Sequence, residues 1–519
     1  MDNPRDLEKT MSSNSKSKNG DLQSTREGTA SRLSNGPLAF LRKTLFGSAE
    51  SRGIDPVPIE ERVDKRGHSL FTLWFTANCT LLPISTGMSS TFVFGLSLKV
   101  ASVVIVLSTL LFMFPVAWMG MMGPKTGLRQ IIQTRYYFGF YLVLIIALLQ
   151  LATLAGYTII TSIVGGQTLA ALSGGSLSDK GGIVIISLCA LPISFMGYRC
   201  LHYFESYSWI PSVIAIIVTV GVGGKHLSQQ VETSTPTVRQ VLTFVSLCAS
   251  LSLSWAALVS DFSVYISPSV PRSVYLDLTK PSIMLTSHRY RIFLYVYAGY
   301  CIPSILLLVL GAAIGGAVPN VASWNDANNA YSVGGVMYSM VSSVGGFGKF
   351  VAVLLALSVV SLNSCSLYSL SISLQSLHPI LLRVPRYAYS IVVAAIVAGV
   401  SVAAAANFYA SLSNFLGVVG YWTSSYAGIA IVEHHWFRKG DYSSYNPQHW
   451  DVRAELPSGV AAVAALLLSF GLIVPSMDAV WYVGPFASKI GDVGIEVGFC
   501  LSSILYFIFR TLELRLIRK

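Results

Sequence analysis

Charged side chains are scarce in this chain of 519 residues. Asp, Glu, Lys and Arg together make up 11% of it, against roughly 25% in a typical soluble globular protein. Hydrophobic residues make up 53%, and the mean hydropathy is +0.61. This composition excludes an ordinary soluble globular protein and indicates a membrane protein.

The alternating apolar and polar residues that are typical of transmembrane barrel strands are not the pattern of this sequence. Its apolar runs are continuous, and about twelve of them approach the roughly 20 residues that a membrane-spanning helix needs. We therefore expect an all-α polytopic membrane protein. The predicted spans are 70–94, 98–122, 138–164, 183–199, 207–224, 241–265, 292–318, 347–375, 387–406, 411–433, 457–477 and 490–509.

The sequence also lacks the residue spacings that bind metals or form disulfide frameworks. Its seven cysteines are scattered through or beside the spans, and the adjacent pair His434 and His435 has neither a metalloprotease spacing nor a cysteine partner. No nucleophile–base pair or phosphate-binding loop converges on the spans, so an enzyme is not expected. We predict no catalytic residue, no metal and no resident cofactor.

Positive charge outweighs negative charge, with a formal net charge of +11. Cytoplasmic loops of membrane proteins carry an excess of Lys and Arg, so the loop charges predict that both termini are cytoplasmic. The net charge fits a surface that contacts anionic lipid headgroups, and no motif for binding nucleic acid is present. The basic residues on the predicted cytoplasmic side include Lys125, Arg129, Arg135, Arg438 and Lys439.

The first 51 residues differ from the rest of the chain. They are rich in Ser, Lys, Asn, Asp and Gly, and they contain no apolar core of the kind that a cleaved signal peptide needs. We predict a disordered cytoplasmic tail over 1–51, followed by a membrane domain over 52–519.

Span one contains a polar cluster at an interruption. A polar side chain inside the bilayer costs energy unless it faces the bundle interior or a wet cavity, so such clusters mark candidate sites. Pro83 and Gly87 interrupt a hydrophobic run around Asn78, Thr80, Ser85 and Thr86, which would leave backbone groups near residues 80–87 free for a ligand. The alternative is a simple kink, since Pro and Gly are frequent in membrane helices.

Span six carries a carboxylate and a tryptophan. Asp261 at or near membrane depth is a candidate functional residue, and the alternative is that it caps a span end or pairs with a loop arginine. Trp255 lies about ten residues from either end of its span, away from the interface where tryptophans anchor helices. Its position therefore suits stacking on a flat ligand.

Two further spans carry polar side chains on their faces. Span three places Tyr157 and Thr161 four residues apart on one face, and span eight carries Asn363 and Ser366 in the run SVVSLNSCSLYSLS (358–371). We predict that these four residues line the site. The alternatives are close packing by neighbouring glycines in span three and serines that bond back to the preceding turn in span eight. Asn363 fits that alternative least, because its amide both donates and accepts.

Spans one and six stand five helices apart, and each contains an interruption. This arrangement is typical of transporters built from two inverted repeats with the substrate site near the bilayer midplane. We expect 70–224 to form the first repeat, 241–433 the second, and 457–509 two additional spans.

The stretch GPKTGLRQIIQTRYYFGFY (123–141) resembles the signature of the fungal purine-cytosine permease branch of the nucleobase-cation symporter family, which includes vitamin B6 permease-like members. The resemblance continues through FESYSWIP (204–211), WAALVSDFSVYI (255–266) and WYVGPFASKIGDVGIEVGF (481–499), and it covers residues 52–519. It implies a twelve-helix, five-plus-five inverted-repeat fold in the plasma membrane that imports a flat heterocycle together with a proton.

The resemblance also implies roles for individual residues. Glu205 and Asp261 match acidic residues that look like participants in proton coupling, and Trp255 matches the tryptophan expected to stack on the substrate ring. The coupling ion would then be the proton. Tail lysines of similar fungal permeases look like common targets of the ubiquitin machinery, and the corresponding residues here are Lys9, Lys16, Lys18 and Lys43.

Several positions depart from the family pattern. Span three of the family usually carries Trp and Asn where this chain has Tyr157 and Thr161, and span eight usually carries Asn where it has Leu362 and Ser366. Amides bind a base edge bidentately, whereas a hydroxyl offers a single short contact. The substrate is therefore expected to be a nucleobase such as cytosine or a purine, or else vitamin B6 or a specialised metabolite with a related ring. A nutrient sensor that binds without transporting is a third alternative.

Overall fold

A computed structural model describes residues 54–62, 67–195, 197–267, 288–377 and 379–517 of the protein. The predicted tail over 1–51 and its lysines lie outside these residues. The described chain is almost entirely helical, as its apolar runs predicted.

The helices are numbered here in chain order over the described residues. The first half contains α1 (Gly67–Asn78), α2 (Leu81–Phe92), α3 (Leu98–Gly120), α4 (Met122–Thr126), α5 (Gln130–Phe138), α6 (Val143–Leu172), α7 (Asp179–Phe195), α8 (Gly197–Tyr207) and α9 (Trp209–Gly223). The second half contains α10 (Val238–Leu253), α11 (His288–Ala317), α12 (Ala322–Val341), α13 (Gly345–Leu377), α14 (Arg386–Ala404), α15 (Phe408–Val432), α16 (Val460–Ser476), α17 (Ala487–Ile490) and α18 (Gly494–Ile517). Strands β1 (Asp478–Ala479) and β2 (Tyr482–Val483) pair antiparallel between α16 and α17.

The predicted spans each coincide with a helix or a pair of helices, because a long apolar run in a bilayer must satisfy its backbone internally. Within the described residues, eight helical segments are long and apolar enough to cross a membrane by themselves. Span three begins at Val143, later than predicted, since Gly139 has a φ of 75° and separates α5 from α6. Helix α12 was not predicted, and it adds a segment between spans seven and eight.

Span one is split into α1 and α2 at Cys79 and Thr80. Thr80 is the extended N-cap of α2, and its Oγ1 accepts a hydrogen bond from Leu82 N at 3.4 Å. Pro83 lies in the first turn of α2, where a missing N–H costs no helical hydrogen bond. The interruption therefore lies at the start of the predicted stretch 80–87, before Pro83, whereas Ser85 and Thr86 lie within the continuous helix α2.

Span six loses its α-helical form in the corresponding place. Helix α10 ends at Leu253, and two short 3₁₀ segments, Ser254–Ala257 and Val259–Phe262, follow it. Trp255 and Asp261 both lie in this unwound segment. The two broken spans have the form that the sequence predicted for paired repeats.

Glycines bring α2 and α11 into backbone contact. A Cβ built on Gly87 would lie 2.0 Å from the carbonyl oxygen of Leu308, and one built on Gly311 would lie 2.1 Å from that of Ile84. Neither position accepts a larger residue unless the backbone moves. Gly87 therefore packs span one against span seven and does not interrupt the helix.

Candidate functional site

Trp255 and Tyr157 form the centre of the candidate site. Their rings are nearly parallel, with an interplanar angle of 26° and centroids 6.3 Å apart. The Tyr157 hydroxyl also shares a hydrogen bond with the Ser254 hydroxyl, so the unwound part of span six is joined directly to span three. Phe415 of α15 meets the Tyr157 ring edge-on at 5.0 Å, which fixes its plane.

The two rings lie closer together than a flat ligand between them would require. A planar ring needs about 3.5 Å to each flanking face, or about 7 Å in all, so the rings, whose centroids are 6.3 Å apart, would have to separate to admit one. Trp74 of α1 packs edge-on against Trp255 at 4.9 Å and supports it from behind. The structure thus brings Trp255 and Tyr157, two of the predicted site residues, next to each other.

Asn363 and Thr161 also lie together, in the contact between α13 and α6. The Thr161 hydroxyl donates to Asn363 Oδ1, and Asn363 Nδ2 donates to the Ser162 hydroxyl at 3.1 Å. The Asn363 amide therefore joins two helices. Ser366 lies one turn further along α13 and is buried.

Ser85 and Thr86 are buried, but their hydroxyls are used within their own helix. Both donate to the Leu82 carbonyl oxygen, at 2.8 and 3.0 Å respectively. Bonding back to the preceding turn is a common way for Ser and Thr to be satisfied in membrane helices. This pattern, which was an alternative for span eight, thus also occurs in span one.

Glu205 of α8 is fully buried between α1 and α13. Its Oε2 accepts a hydrogen bond from the Ser361 hydroxyl at 2.7 Å, and the Cys365 thiol lies beside the same carboxyl. Its backbone carbonyl accepts a hydrogen bond from the Thr76 hydroxyl of the broken span one. Its Oε1 has no hydrogen-bond partner among the described residues. Glu205 thus connects three spans through one side chain and one carbonyl.

Asp261 is also buried, but its partner is of a different kind. Its Oδ1 accepts a hydrogen bond from the backbone N–H of Gln130 at 2.9 Å. Gln130 is the first residue of α5, so the carboxylate lies at a helix N-terminus, where the unpaired N–H groups and the dipole favour negative charge. Asp261 therefore caps a helix, but the capped helix is α5 and not span six.

Arg129 is a candidate that the sequence analysis counted only as a loop charge. It is 1% exposed, and its guanidinium lies 5.8 Å from the ring centre of Tyr265 and 6.0 Å from that of Tyr368. These contacts connect the residue before α5 with the end of span six and with span eight. A loop arginine carries no local signal of burial, so only the match of 123–141 to a family signature pointed to this segment.

A polar network around Tyr426 of α15 lies near α5. The Tyr426 hydroxyl is 2.9 Å from Gln130 Nε2, from Thr134 Oγ1 and from the Tyr137 hydroxyl. All of these residues are buried. The network joins α5 to span ten. Tyr426 lies about 16 Å along α15 from Phe415, at about 1.5 Å per residue.

A cavity of about 530 Å³ lies beside the start of α10. Two of its lining residues, Arg239 and Asp478, form a bidentate ion pair with distances of 2.8 and 3.0 Å, which ties α10 to β1. Asp492 also lines it, and burial raises the pKa of that carboxyl. The sequence analysis missed this pair because its members are 239 residues apart.

We expect Asp261→Ala to lower the thermal stability of the protein more than Asp261→Asn. Alanine removes the acceptor at the start of α5, a loss that typically costs about 0.5–2 kcal/mol, whereas the asparagine side chain keeps an oxygen there. Thermal melting of the detergent-solubilised protein measures the difference. Asp441→Ala, which removes the cap of a short exposed turn, is the control. Equal melting temperatures for wild type, Asp261→Ala and Asp261→Asn would contradict the capping role.

Comparison with known proteins identifies the family. Residues 56–498 match a family model described as a permease for cytosine/purines, uracil, thiamine and allantoin. Purine-cytosine permease FCY22 of Saccharomyces cerevisiae is 32% identical over 93% of this chain and 90% of its own length. Purine-cytosine permease fcyB of Emericella nidulans is 30% identical over 90% and 89%. Vitamin B6 transporter TPN1 of Saccharomyces cerevisiae is 25% identical over 93% and 91%.

Solved structures show the same fold at low sequence identity. Mhp1, a nucleobase-cation-symport-1 family transporter in a closed conformation with bromovinylhydantoin bound, gives a TM-score of 0.62 at 15% identity, over 90% of this chain and 95% of that chain. The expected inverted-repeat fold is therefore confirmed. With the family model matched over most of its length, the chain is a multi-pass membrane transporter of the nucleobase-cation symporter family, in its fungal purine-cytosine permease branch.

Proposed function

We propose that this protein imports a flat, nucleobase-like heterocycle across the plasma membrane by proton symport, with both termini in the cytoplasm. The observation that carries the proposal is the nearly parallel pair of Trp255 and Tyr157. This pair lies between the unwound segment of span six and span three. Aromatic faces bind any flat ring, and base–aromatic stacking is worth about 1–3 kcal/mol per base.

The choice of a nucleobase-like substrate draws on the relatives. Two relatives that are 32% and 30% identical to this chain are named purine-cytosine permeases, and the Mhp1 structure contains a bound hydantoin, which is also a small ring. Trp255 would supply the stacking face here, while Thr161 and Ser366 would offer hydroxyls in place of amides. Ser85 and Thr86 remain proposed pocket residues whose hydroxyls would exchange their intrahelical bonds for the ligand.

Glu205 is the proposed coupling residue. A buried carboxylate inside the membrane is costly unless it is paired or protonated, and here one oxygen is bonded to a hydroxyl while the other has no hydrogen-bond partner among the described residues. The Ser361 hydroxyl can donate to a carboxylate and can accept from a carboxylic acid, so both protonation states fit. Because Glu205 contacts spans one and eight, its protonation would act on the packing beside the broken helix.

Asp261 is the second proposed coupling residue, although its backbone partner makes it the weaker one. A carboxylate that accepts a helix N-terminal N–H is stabilised in its charged form, which opposes proton exchange. It would couple by releasing α5 on protonation.

A vitamin B6 or specialised-metabolite permease is the alternative of the same class. Its support is the set of hydroxyls near the platform, among them Ser254 and Thr161, together with the likeness to vitamin B6 transporter TPN1. A non-transporting nutrient sensor is the alternative of another class. It would keep the Trp255 platform without needing Glu205, so accumulation against a gradient separates the two classes.

We expect acid-stimulated uptake in cells that lack their own nucleobase and pyridoxine permeases. Labelled cytosine, adenine, hypoxanthine, uracil and pyridoxine are offered at acidic and at slightly alkaline external pH, with surface expression measured in parallel. Protons are a co-substrate in this proposal, so accumulation should be higher at acidic pH. Preference for pyridoxine would support the vitamin alternative, and specific binding without accumulation would support a sensor.

Glu205→Gln is expected to abolish accumulation against a gradient and to leave ligand binding intact. Glutamine preserves the size of the side chain and its contact with Ser361, but it cannot exchange a proton. Accumulation of the preferred labelled compound in whole cells is compared with its binding to purified protein. Glu455→Gln changes an exposed loop carboxylate and serves as the control. Undiminished accumulation at low external proton concentration would exclude Glu205 as the coupling residue.

Trp255→Ala is expected to weaken heterocycle binding by about 1–3 kcal/mol, the scale of base–aromatic stacking, and Trp255→Phe by less. Equilibrium binding to purified protein measures the change. Trp481→Ala removes an exposed tryptophan and is the control, since it should leave the affinity unaltered. An affinity of Trp255→Ala equal to that of the wild type would place the ligand elsewhere.

A further inference from the structure

Gln150 of α6 is a buried amide that neither the family comparison nor the site described above accounts for. Its side chain is 0% exposed, and neither Nε2 nor Oε1 has a hydrogen-bond partner among the described residues. A buried amide without partners costs about 1–3 kcal/mol or more, and the bilayer supplies no water to reduce that cost. An inward-facing polar residue kept at such a cost in a membrane span is by default a functional candidate.

The other buried glutamines of the described chain are used differently. In each of them the amide nitrogen donates a hydrogen bond: Gln130 to Tyr426, Gln133 to the Leu128 carbonyl, Gln167 to the Ala405 carbonyl and Gln375 to the Val384 carbonyl. Those amides hold helices and loops in place. Among these glutamines, Gln150 is the one whose amide donor and acceptor both lack a partner among the described residues, so a role in joining helices does not explain its burial.

Gln150 shares a helix face with the aromatic platform. It precedes Tyr157 by seven residues, which is within about 20° of two full turns and about 10.5 Å along the axis. Between them, Thr153 accepts a hydrogen bond from Trp422 Nε1 at 3.3 Å, which connects span three to span ten. Gln150 therefore lies beyond this contact, on the side of the platform that faces α5 and the Tyr426 network.

We propose that Gln150 forms an inner recognition subsite, at which its amide binds the donor–acceptor edge of the heterocycle after the ring leaves the Trp255–Tyr157 platform. The inference rests on the proposed function, because it assumes that a flat heterocycle crosses the bundle. An amide presents one donor and one acceptor side by side, which matches edges that pair an exocyclic amino or oxo group with a ring nitrogen.

The subsite also explains how this chain reads a ring edge after losing amides elsewhere. The positions corresponding to family asparagines hold Thr161, Leu362 and Ser366, and the remaining amide, Asn363, bonds to span three. Gln150 would bind the edge of the heterocycle after the ring has left the Trp255–Tyr157 platform. Selectivity would then appear on the side of the protein that faces α5, which is cytoplasmic in the proposed orientation.

The test uses the full-length protein in right-side-out plasma-membrane vesicles. Vesicles are preloaded with unlabelled adenine or with unsubstituted purine, which lacks the amino group, and entry of labelled adenine by exchange is followed. For the wild type we expect the internal half-saturation concentration of adenine to be about tenfold lower than that of purine, the scale of one bidentate amide contact. The external half-saturation concentration of adenine measures binding at the Trp255–Tyr157 platform.

Gln150→Met keeps the length of the side chain and removes its polar atoms. It is expected to bring the two internal values to within about twofold of each other, with the external value unchanged, because only the inner contact is lost. Gln150→Asn should give an intermediate ratio. Gln167→Leu, on the same helix, is the control and should retain the wild-type ratio. Gln150→Leu is the second apolar variant should the Met variant fail to reach the membrane.

The two proposals fail in different ways. Wild-type discrimination retained in Gln150→Met or Gln150→Leu, in vesicles where wild-type exchange is normal, would overturn the inner subsite and leave the proposed function standing. Absence of heterocycle exchange by the wild-type protein would overturn the proposed function, and the inner subsite with it.

Discussion

The absence of water in the bilayer interior is the constraint on which the rest of this structure depends. Two spans are broken, and the protein itself must satisfy the polar groups that the breaks release. At the break in span one, the Thr80 hydroxyl oxygen accepts a hydrogen bond from the backbone N–H of Leu82. In the unwound part of span six, the Ser254 hydroxyl shares a hydrogen bond with the Tyr157 hydroxyl. Most polar side chains that stand out in the sequence are engaged in this way. Few polar groups are therefore left without a protein partner, and these groups are the candidates for binding a ligand.

The two buried carboxylates differ in their partners and not in their burial. Asp261 accepts a backbone N–H, a group that can only donate and therefore favours the charged form. Glu205 meets a hydroxyl, which can donate or accept, so neither protonation state is excluded. Both residues look alike in the sequence. The difference between them appears only when the atom on the other side of each hydrogen bond is known.

The sequence predicts the helices well, because long apolar runs in a membrane allow few other structures, and it correctly indicates interruptions in spans one and six. It attributes the first interruption to Pro83 and Gly87, whereas both lie inside α2 and the break precedes them, since a proline in the first turn begins a helix as readily as it breaks one. Within the site, Trp255 and Tyr157 could be anticipated from chemistry and position. The engagement of Asn363 by Thr161 and Ser162, the burial of Arg129 and the unused amide of Gln150 could not, because each depends on a partner, or the lack of one, that is remote in sequence. Helix α12 was not predicted, because its sequence lacks a sufficiently long apolar run.

The glycine contacts between α2 and α11 have a mechanical consequence. With Gly87 against the Leu308 carbonyl and Gly311 against the Ile84 carbonyl, each backbone occupies a notch in the other. If α2 slid along α11, a backbone carbonyl would collide with the next side chain. The two helices are therefore expected to move together as one rigid body, the lever. Any rearrangement of span one is then concentrated at the two residues, Cys79 and Thr80, that separate this lever from α1.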